Sequence, residues 1–375
     1  MFKRFALVTA LALTVAACGS EETVTVATPT PSLVDELAAT GVGEFIGKIE
    51  PDSSQTKGEW TEYSYDEAKE QAICLGGTPY QVNVHEGPTN KLLVYLEGGG
   101  ACWNSVTCWV ANTAKKESGS ASGDGILDLN NAQNPFKDWN IVYVPYCDGS
   151  VHSGNNEVEY AGHEGKTYHH GLQNISAALT LAQSKFPDPD MIVVSGSSAG
   201  GYGTLNGYGV TRLAYQSTPI IVFNDSGPGL QNPDPAQAGA DQDRIENWKY
   251  TQYIPASCSE CTEQTAYLAD WAMERDPELR VALFSYNHDN TIPLFLGMDA
   301  NSFEALLLEV SGDIHDRQPD RMKRFIKTGN GHTVLELPSF YTLAIDETTI
   351  RDWTAAFLTD GSAWVDIVDP TPTAP

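Results

Sequence analysis

Five short, continuous apolar runs set the tightest limit on what this chain can fold into. They are Lys91–Leu96 (KLLVYL), Asn140–Val144 (NIVYV), Met191–Ser195 (MIVVS), Ile220–Phe223 (IIVF) and Arg280–Ser285 (RVALFS). Unbroken apolar runs of this length fit strands buried on both faces. Helical stretches lie between them. Over Gly171–Phe186, residues Leu172, Ile175, Leu179, Ala182 and Phe186 recur at steps of three and four, which places them on one helical face. Cys261–Glu274 and Ser302–Val310 are patterned in the same way. Alternation of such strands and helices predicts an α/β fold, with a mostly parallel central sheet and helices on both faces. In a sheet of this kind a site forms beyond the C-terminal ends of the strands. Hydrophobic residues are 41% of the 375, enough for a large core, so wholesale disorder is excluded. No internal repeat or long polar linker divides the body, and one domain is expected over 35–368, with large loop insertions.

The 22 Lys and Arg against 49 Asp and Glu give a net charge of −27. A nucleic-acid partner needs a basic footprint, and docking by charge on an anionic membrane needs one too, so neither is expected.

The first 17 residues read as a secretory signal. Lys3 and Arg4 precede an apolar run from Phe5 to Ala17 that, as a helix, rises only about 20 Å, too short for a bilayer core of about 30 Å. The run ends in Val15-Ala16-Ala17-Cys18-Gly19, which resembles the bacterial lipobox, so Cys18 is the expected lipid attachment and new N-terminus. Gly19 is not the Asp that retains lipoproteins at the inner membrane, which leaves the outer membrane or cell surface. Residues 18–34 are expected to be a lipidated tether and 369–375 a frayed tail.

Assigning Cys18 to lipid leaves Cys74, Cys102, Cys108, Cys147, Cys258 and Cys261. Export permits disulfides, and six cysteines allow 15 connectivities. Cys258-Ser-Glu-Cys261 could begin a zinc site, but it lacks a second pair of ligands, and a local disulfide is the expectation.

The chemistry centres on Gly196-Ser197-Ser198-Ala199-Gly200. This G-x-S-x-G follows a strand and precedes a helix-compatible stretch, the context of a nucleophile elbow, and its phase selects Ser198 over Ser195 and Ser197. Gly98-Gly99-Gly100 follows LLVYLE and matches an oxyanion loop, with Glu97 where histidine often stands. The expected donors are the N–H groups of Gly99, Gly100 and Ala199. A phosphate loop is the rival, but the Lys-Ser/Thr that completes one is missing. A base and an orienting acid should follow in the order acid, then histidine. His332, in a glycine-flanked loop (GNGHTVL), is the expected base, ahead of His288 and His315, the latter in a solvated charged stretch. Asp289, just past RVALFS, is the expected acid, with Asp225 after IIVF as runner-up. His152, His163, His169 and His170 have no metal-ligand spacing, and Asp124–Asn131 lacks the EF-hand pattern. Neither metal nor cofactor is expected.

The segments LVYLEGGGACW, VPYCDGSVHSG, VVSGSSAGGYG, FNDSGPG, the Asp289 strand end and GNGHTVL together resemble the pectin acetylesterase/Notum family of α/β-hydrolases, over roughly residues 60–368. The resemblance implies a Ser-His-Asp carboxylesterase without metal, with the triad and oxyanion donors named above. It also implies the pairs Cys74–Cys147 and Cys102–Cys108, leaving Cys258–Cys261. Ala101 stands where plant members often carry tryptophan, and Trp103 lies two residues on. The expected activity is removal of short acyl groups, acetyl above all, from a polysaccharide or related extracellular ester. The alternatives are a lipid or polyester hydrolase and a non-catalytic binding lipoprotein. The expected partners are an acylated polysaccharide or small ester, and a membrane only through the N-terminal lipid.

Overall fold

A computed structural model of the protein describes residues 31–65, 71–121 and 123–369. The signal segment, Cys18 and most of the tether and tail lie outside the described residues. The expected tether is cut short. Ser32 caps a helix over Leu33–Thr40 (α1), in a capping box with Asp35, so Leu33 and Val34 are helical.

Ten strands form one sheet. In chain order they are Ser53–Lys57 (β1), Trp60–Tyr65 (β2), Tyr80–His85 (β3), Lys91–Leu96 (β4), Asn140–Val144 (β5), Met191–Ser197 (β6), Ile220–Asp225 (β7), Val281–Tyr286 (β8), Met322–Lys327 (β9) and Ile367–Val368 (β10). Their spatial order is β1-β2-β3-β5-β4-β6-β7-β8-β9-β10. The pairings from β5 through β10 are parallel, and only β1, β2 and β3 join antiparallel at one edge. The fold is that of an α/β-hydrolase.

The apolar runs are continuous because both sheet faces are covered. Alternate residues enter different cores: Leu92, Val94 and Leu96 pack with Ile175, Leu179 and Phe303, while Leu93 and Tyr95 join Phe284, Phe325 and Trp353. The first face carries helices Gly171–Lys185 (α2) and Ala199–Ala214 (α3). Later in the chain come Ala238–Trp248 (α4), Tyr267–Arg275 (α5), Ala300–Arg317 (α6) and Ile350–Thr359 (α7).

Two strands run longer than their apolar cores. Gly196 pairs with Asn224 and Ser197 with Asp225, so residues that would form turns in isolation instead continue the ladder. The helix expected over Cys261–Glu274 begins at Tyr267, because Cys258–Cys261 and a 3₁₀ turn over Glu260–Thr262 occupy its start. His315 is not in a solvated stretch. It sits on α6 with Nδ1 bonded to the Met322 carbonyl at 2.7 Å. The cysteines pair as Cys74–Cys147, Cys102–Cys108 and Cys258–Cys261. Among the described residues, no helix is long and apolar enough to cross a membrane.

Candidate active site

Ser198 stands at the point where β6 turns into α3. Its backbone is held at φ 58°, ψ −117°, a costly conformation for a residue with a Cβ. The turn closes this sharply only because Gly200 lacks a Cβ. One built there would lie 1.9 Å from the Leu96 carbonyl oxygen. The Ser198 N–H donates to the Asp225 carbonyl at 2.8 Å, and its own carbonyl accepts from Tyr202 N at 3.0 Å. The neighbouring serines are committed elsewhere. Buried Ser195 donates to the Phe223 carbonyl, and buried Ser197 donates to Asp225 Oδ2 at 2.6 Å while pairing with the Tyr95 hydroxyl. Of the three, Ser198 borders the adjoining pocket.

The glycine run after β4 abuts this turn. A Cβ on Gly98 would stand 3.1 Å from that of Ser198. Gly100 and Ala199, the first residue of α3, border the same pocket as Ser198. The first N–H groups of a helix have no intrahelical partner, so Ala199 is suited to donate outward. Gly99 does not border the pocket. It lies against the Tyr146 ring, and its carbonyl accepts from Lys115 N.

Asp289 and His332 come together from separate strand ends, with Asp289 Oδ2 2.7 Å from His332 Nδ1. A carboxylate only accepts, so Nδ1 carries the proton and Nε2 is left as a lone-pair acceptor. Nε2 is buried and bonds to no described group, Ser198 Oγ included. Such bonds are often long before substrate arrives. The Asp289 carboxylate is itself fixed, since Oδ1 accepts from Thr291 N and Ile292 N. His288 faces away, toward Glu304 at 3.0 Å.

Asp225 has a different task from Asp289. Its Oδ2 accepts from Val334 N at 3.0 Å and Leu335 N at 2.9 Å, the two amides that follow His332 and Thr333. Ser226 Oγ accepts from Thr333 N. Asp225 therefore holds the loop carrying His332 beside the strand end that also takes the Ser198 N–H. Burial raises the Asp225 carboxyl above its ordinary range, against the opposing pull of its donors. The described residues include nine non-glycine positions at positive φ. Five of them, Val151, His152, Ser198, Ser226 and Thr333, lie on the elbow, the histidine loop or the segments touching them. Strain concentrated in this way is characteristic of functional sites.

The pocket at Ser198 encloses about 100 Å³ and is mainly apolar, with walls that include Trp103, Leu205, Leu230, Ile254, Phe295 and Leu296. Among the described residues, Arg244 is the one charged member of its walls. It is paired with Asp241 and lies 4.8 Å from the Trp103 ring centroid. These walls come from the segment after the glycine loop, α3, the stretch after β7, α4, residues 250–268 and a helical turn over Ile292–Leu296. No spacing in the sequence marked them as one surface, although Ile-Pro-Leu-Phe-Leu is a visible apolar run.

Glu336 was also not anticipated. It stands near Tyr95 and Glu97, and burial first, then the Glu97 charge, pushes its carboxyl up to about 7. The folded state therefore binds a proton between about pH 4.5 and 7 that the unfolded chain has released. Stability from this group is present below that window and is lost as pH rises through it. Glu336→Gln is expected to raise the melting temperature at pH 8 and change it little at pH 5. The gain is about 3 kcal/mol, and thermal unfolding at the two pH values checks it. A gain larger at pH 5 than at pH 8 would refute the assignment.

His152 and His169 are buried and bonded to the carbonyls of Glu97 and Asp148, and His170 precedes α2. Among the described residues no group of three or more His, Cys, Asp or Glu could hold a metal ion.

Comparison with known proteins points to one family. A sequence profile described as Pectinacetylesterase matches residues 56–288, a span that holds the glycine loop and Ser198 and stops one residue before Asp289. Pectin acetylesterase 4 of Arabidopsis thaliana is 32% identical over 149 residues, 37% of this chain and 36% of the relative. The palmitoleoyl-protein carboxylesterase NOTUM of Schmidtea mediterranea is 33% identical over 127 residues, 31% of this chain and 23% of that protein. Human NOTUM is 27% identical over 182 residues, 42% of this chain and 34% of that protein. The chain spans between about a quarter and just over a third of the length of these curated relatives.

Proposed function

The chain belongs to the pectinacetylesterase family, and from that premise we propose that it is a serine carboxylesterase working through an acyl-enzyme. His332 Nε2 takes the Ser198 proton as Ser198 Oγ attacks the ester carbonyl. The N–H groups of Gly100 and Ala199 on the pocket wall, joined by that of Gly99 behind them in the same loop, hold the oxyanion. His332 then gives its proton to the leaving alkoxide, and water repeats the attack on the acyl-enzyme. Asp289 fixes the imidazole tautomer and stabilises its charged form. The 2.7 Å bond from His332 Nδ1 to Asp289, which leaves a buried, unpartnered Nε2, carries this proposal.

For the acyl group, two readings compete. Removal of acetyl from a polysaccharide follows from the family and from the names of its plant members. The apolar walls beside Ser198 favour the other reading, an acyl chain longer than acetyl, because a lone methyl would leave most of that surface uncovered. A series of nitrophenyl esters, run beside acetylated polysaccharides, separates them. On the second reading kcat/KM rises about fourfold for each methylene the pocket buries. A maximum at acetyl, or efficient release of acetate from a glycan, returns the first.

The protein is further proposed to be exported and lipid-anchored through Cys18 at the outer membrane or cell surface, and the three disulfides suit an oxidising compartment. A non-catalytic binding lipoprotein on this fold would leave Ser198 unlabelled by a fluorophosphonate probe.

A further inference from the structure

Behind the glycine loop, the chain makes a strained corner at Val151 and His152, with φ of 50° and 60°. Neither residue is glycine and Val151 is β-branched, so neighbouring contacts must hold the corner in place. The Val151 N–H donates to the Tyr146 hydroxyl at 3.1 Å. The His152 ring lies 4.9 Å from that of Tyr146 and is fully buried. On its other side is α3. A Cβ on Gly203 would be 3.0 Å from His152 Cβ and Cδ2, so the glycine lets the helix and the ring pack closely.

The ring is aimed at the loop. His152 Nε2 is 2.8 Å from the carbonyl oxygen of Glu97, the residue before Gly98-Gly99-Gly100. A carbonyl only accepts, so Nε2 carries the hydrogen. Burial holds the imidazole below its usual range, against the charges of Asp148 and Glu97, and so keeps it neutral. Nδ1 is then a bare acceptor, buried and without a partner among the described residues. The same corner touches the glycine loop a second time, because the Tyr146 ring fills the space a Cβ on Gly99 would need. A strained turn and an unsatisfied ring nitrogen are thus both tolerated around one hydrogen bond to the peptide that begins the glycine loop.

We propose that His152 is a positioning residue for the oxyanion hole. Its Nε2–H fixes the Glu97 carbonyl, and with it the direction in which the Gly99 and Gly100 N–H groups point. This rests on the serine-esterase reading of Ser198. The role differs from that of His332, which moves a proton. His152 moves none and acts through the backbone of the loop it holds. An oxyanion donor acts mainly on the tetrahedral intermediate, so its misplacement should show in kcat and hardly in substrate binding.

The test compares His152→Leu with His152→Gln in the full chain. The readouts are hydrolysis of a nitrophenyl ester and affinity for a boronic acid that forms a tetrahedral adduct on serine. Leucine removes the donor, and glutamine keeps an N–H near the position of Nε2. In His152→Leu, kcat is expected to fall on the order of 10²-fold, with KM changed less than about threefold, and boronate affinity should fall in parallel. His152→Gln should recover at least about tenfold of the loss in kcat. A His152→Leu enzyme within about threefold of wild-type kcat overturns the proposal. So does a fall in kcat that leaves boronate affinity untouched. Should His152→Leu fail to fold, Tyr146→Phe decides by the same pair of readouts. Parallel losses support the role, and an unchanged kcat removes it. Fluorophosphonate labelling of the wild type keeps the two failures apart. An unlabelled, inactive wild type sinks the serine-esterase reading itself, whereas a labelled, active wild type beside a full-rate His152→Leu sinks only the role of His152.

Discussion

Ser198→Ala is expected to lower kcat by roughly 10⁴–10⁶, leaving a residue of activity from the oxyanion loop and substrate binding. The strained backbone at Ser198 and its place on the pocket leave no neighbour able to substitute, since Ser197 is buried and bonded to Asp225 and Tyr95. Ser197→Ala should therefore cost far less in kcat, its loss falling on packing around Asp225. His332→Ala should resemble Ser198→Ala, and the double variant should be little worse than either, because the two side chains act as a unit. Steady-state kinetics on a purified protein checks all four variants. Wild-type turnover by Ser198→Ala would end the enzyme reading at this site.

The two aspartates are expected to separate cleanly, one in rate and the other in stability. Asp289→Asn turns an N–H toward His332 Nδ1, reverses the tautomer and should lower kcat by about 10³–10⁴. The amide oxygen can still accept from Thr291 and Ile292, so the melting temperature should move little. Asp225→Ala strands the Val334 and Leu335 amides in a buried place. Each unsatisfied group costs about 1–3 kcal/mol, so the variant should lose roughly 3–5 kcal/mol of stability, with a loss of rate that follows displacement of the His332 loop. Thermal unfolding and kcat, measured on both variants, distinguish the roles. If Asp225→Asn abolishes turnover while Asp289→Asn keeps most of it, the assignments are reversed.

Features that depend on local order were legible from the order of residues alone. The apolar runs located the five central strands, because a strand covered on both faces shows no alternation to confuse the reading. The spacing of Gly196, Ser198 and Gly200 located the turn, because only small side chains let the backbone pass the Leu96 carbonyl so closely. What it could not locate were elements whose signal is weak or divided. Ser53–Lys57 is exposed throughout and Met322–Lys327 (MKRFIK) mixes bases with apolar residues, so neither resembles a buried strand. Asp225 shows the same division at the site. Its position after a strand made it runner-up to Asp289 as the acid, but sequence assigned it no task of its own. That task lies with two amides more than a hundred residues away, which hold its carboxylate against the backbone of the histidine loop, while Asp289 meets the imidazole. The apolar pocket and the raised carboxyl of Glu336 belong to the same class. Each is a property of groups from distant segments meeting in a water-poor space, and such meetings are set by packing, which local sequence does not encode.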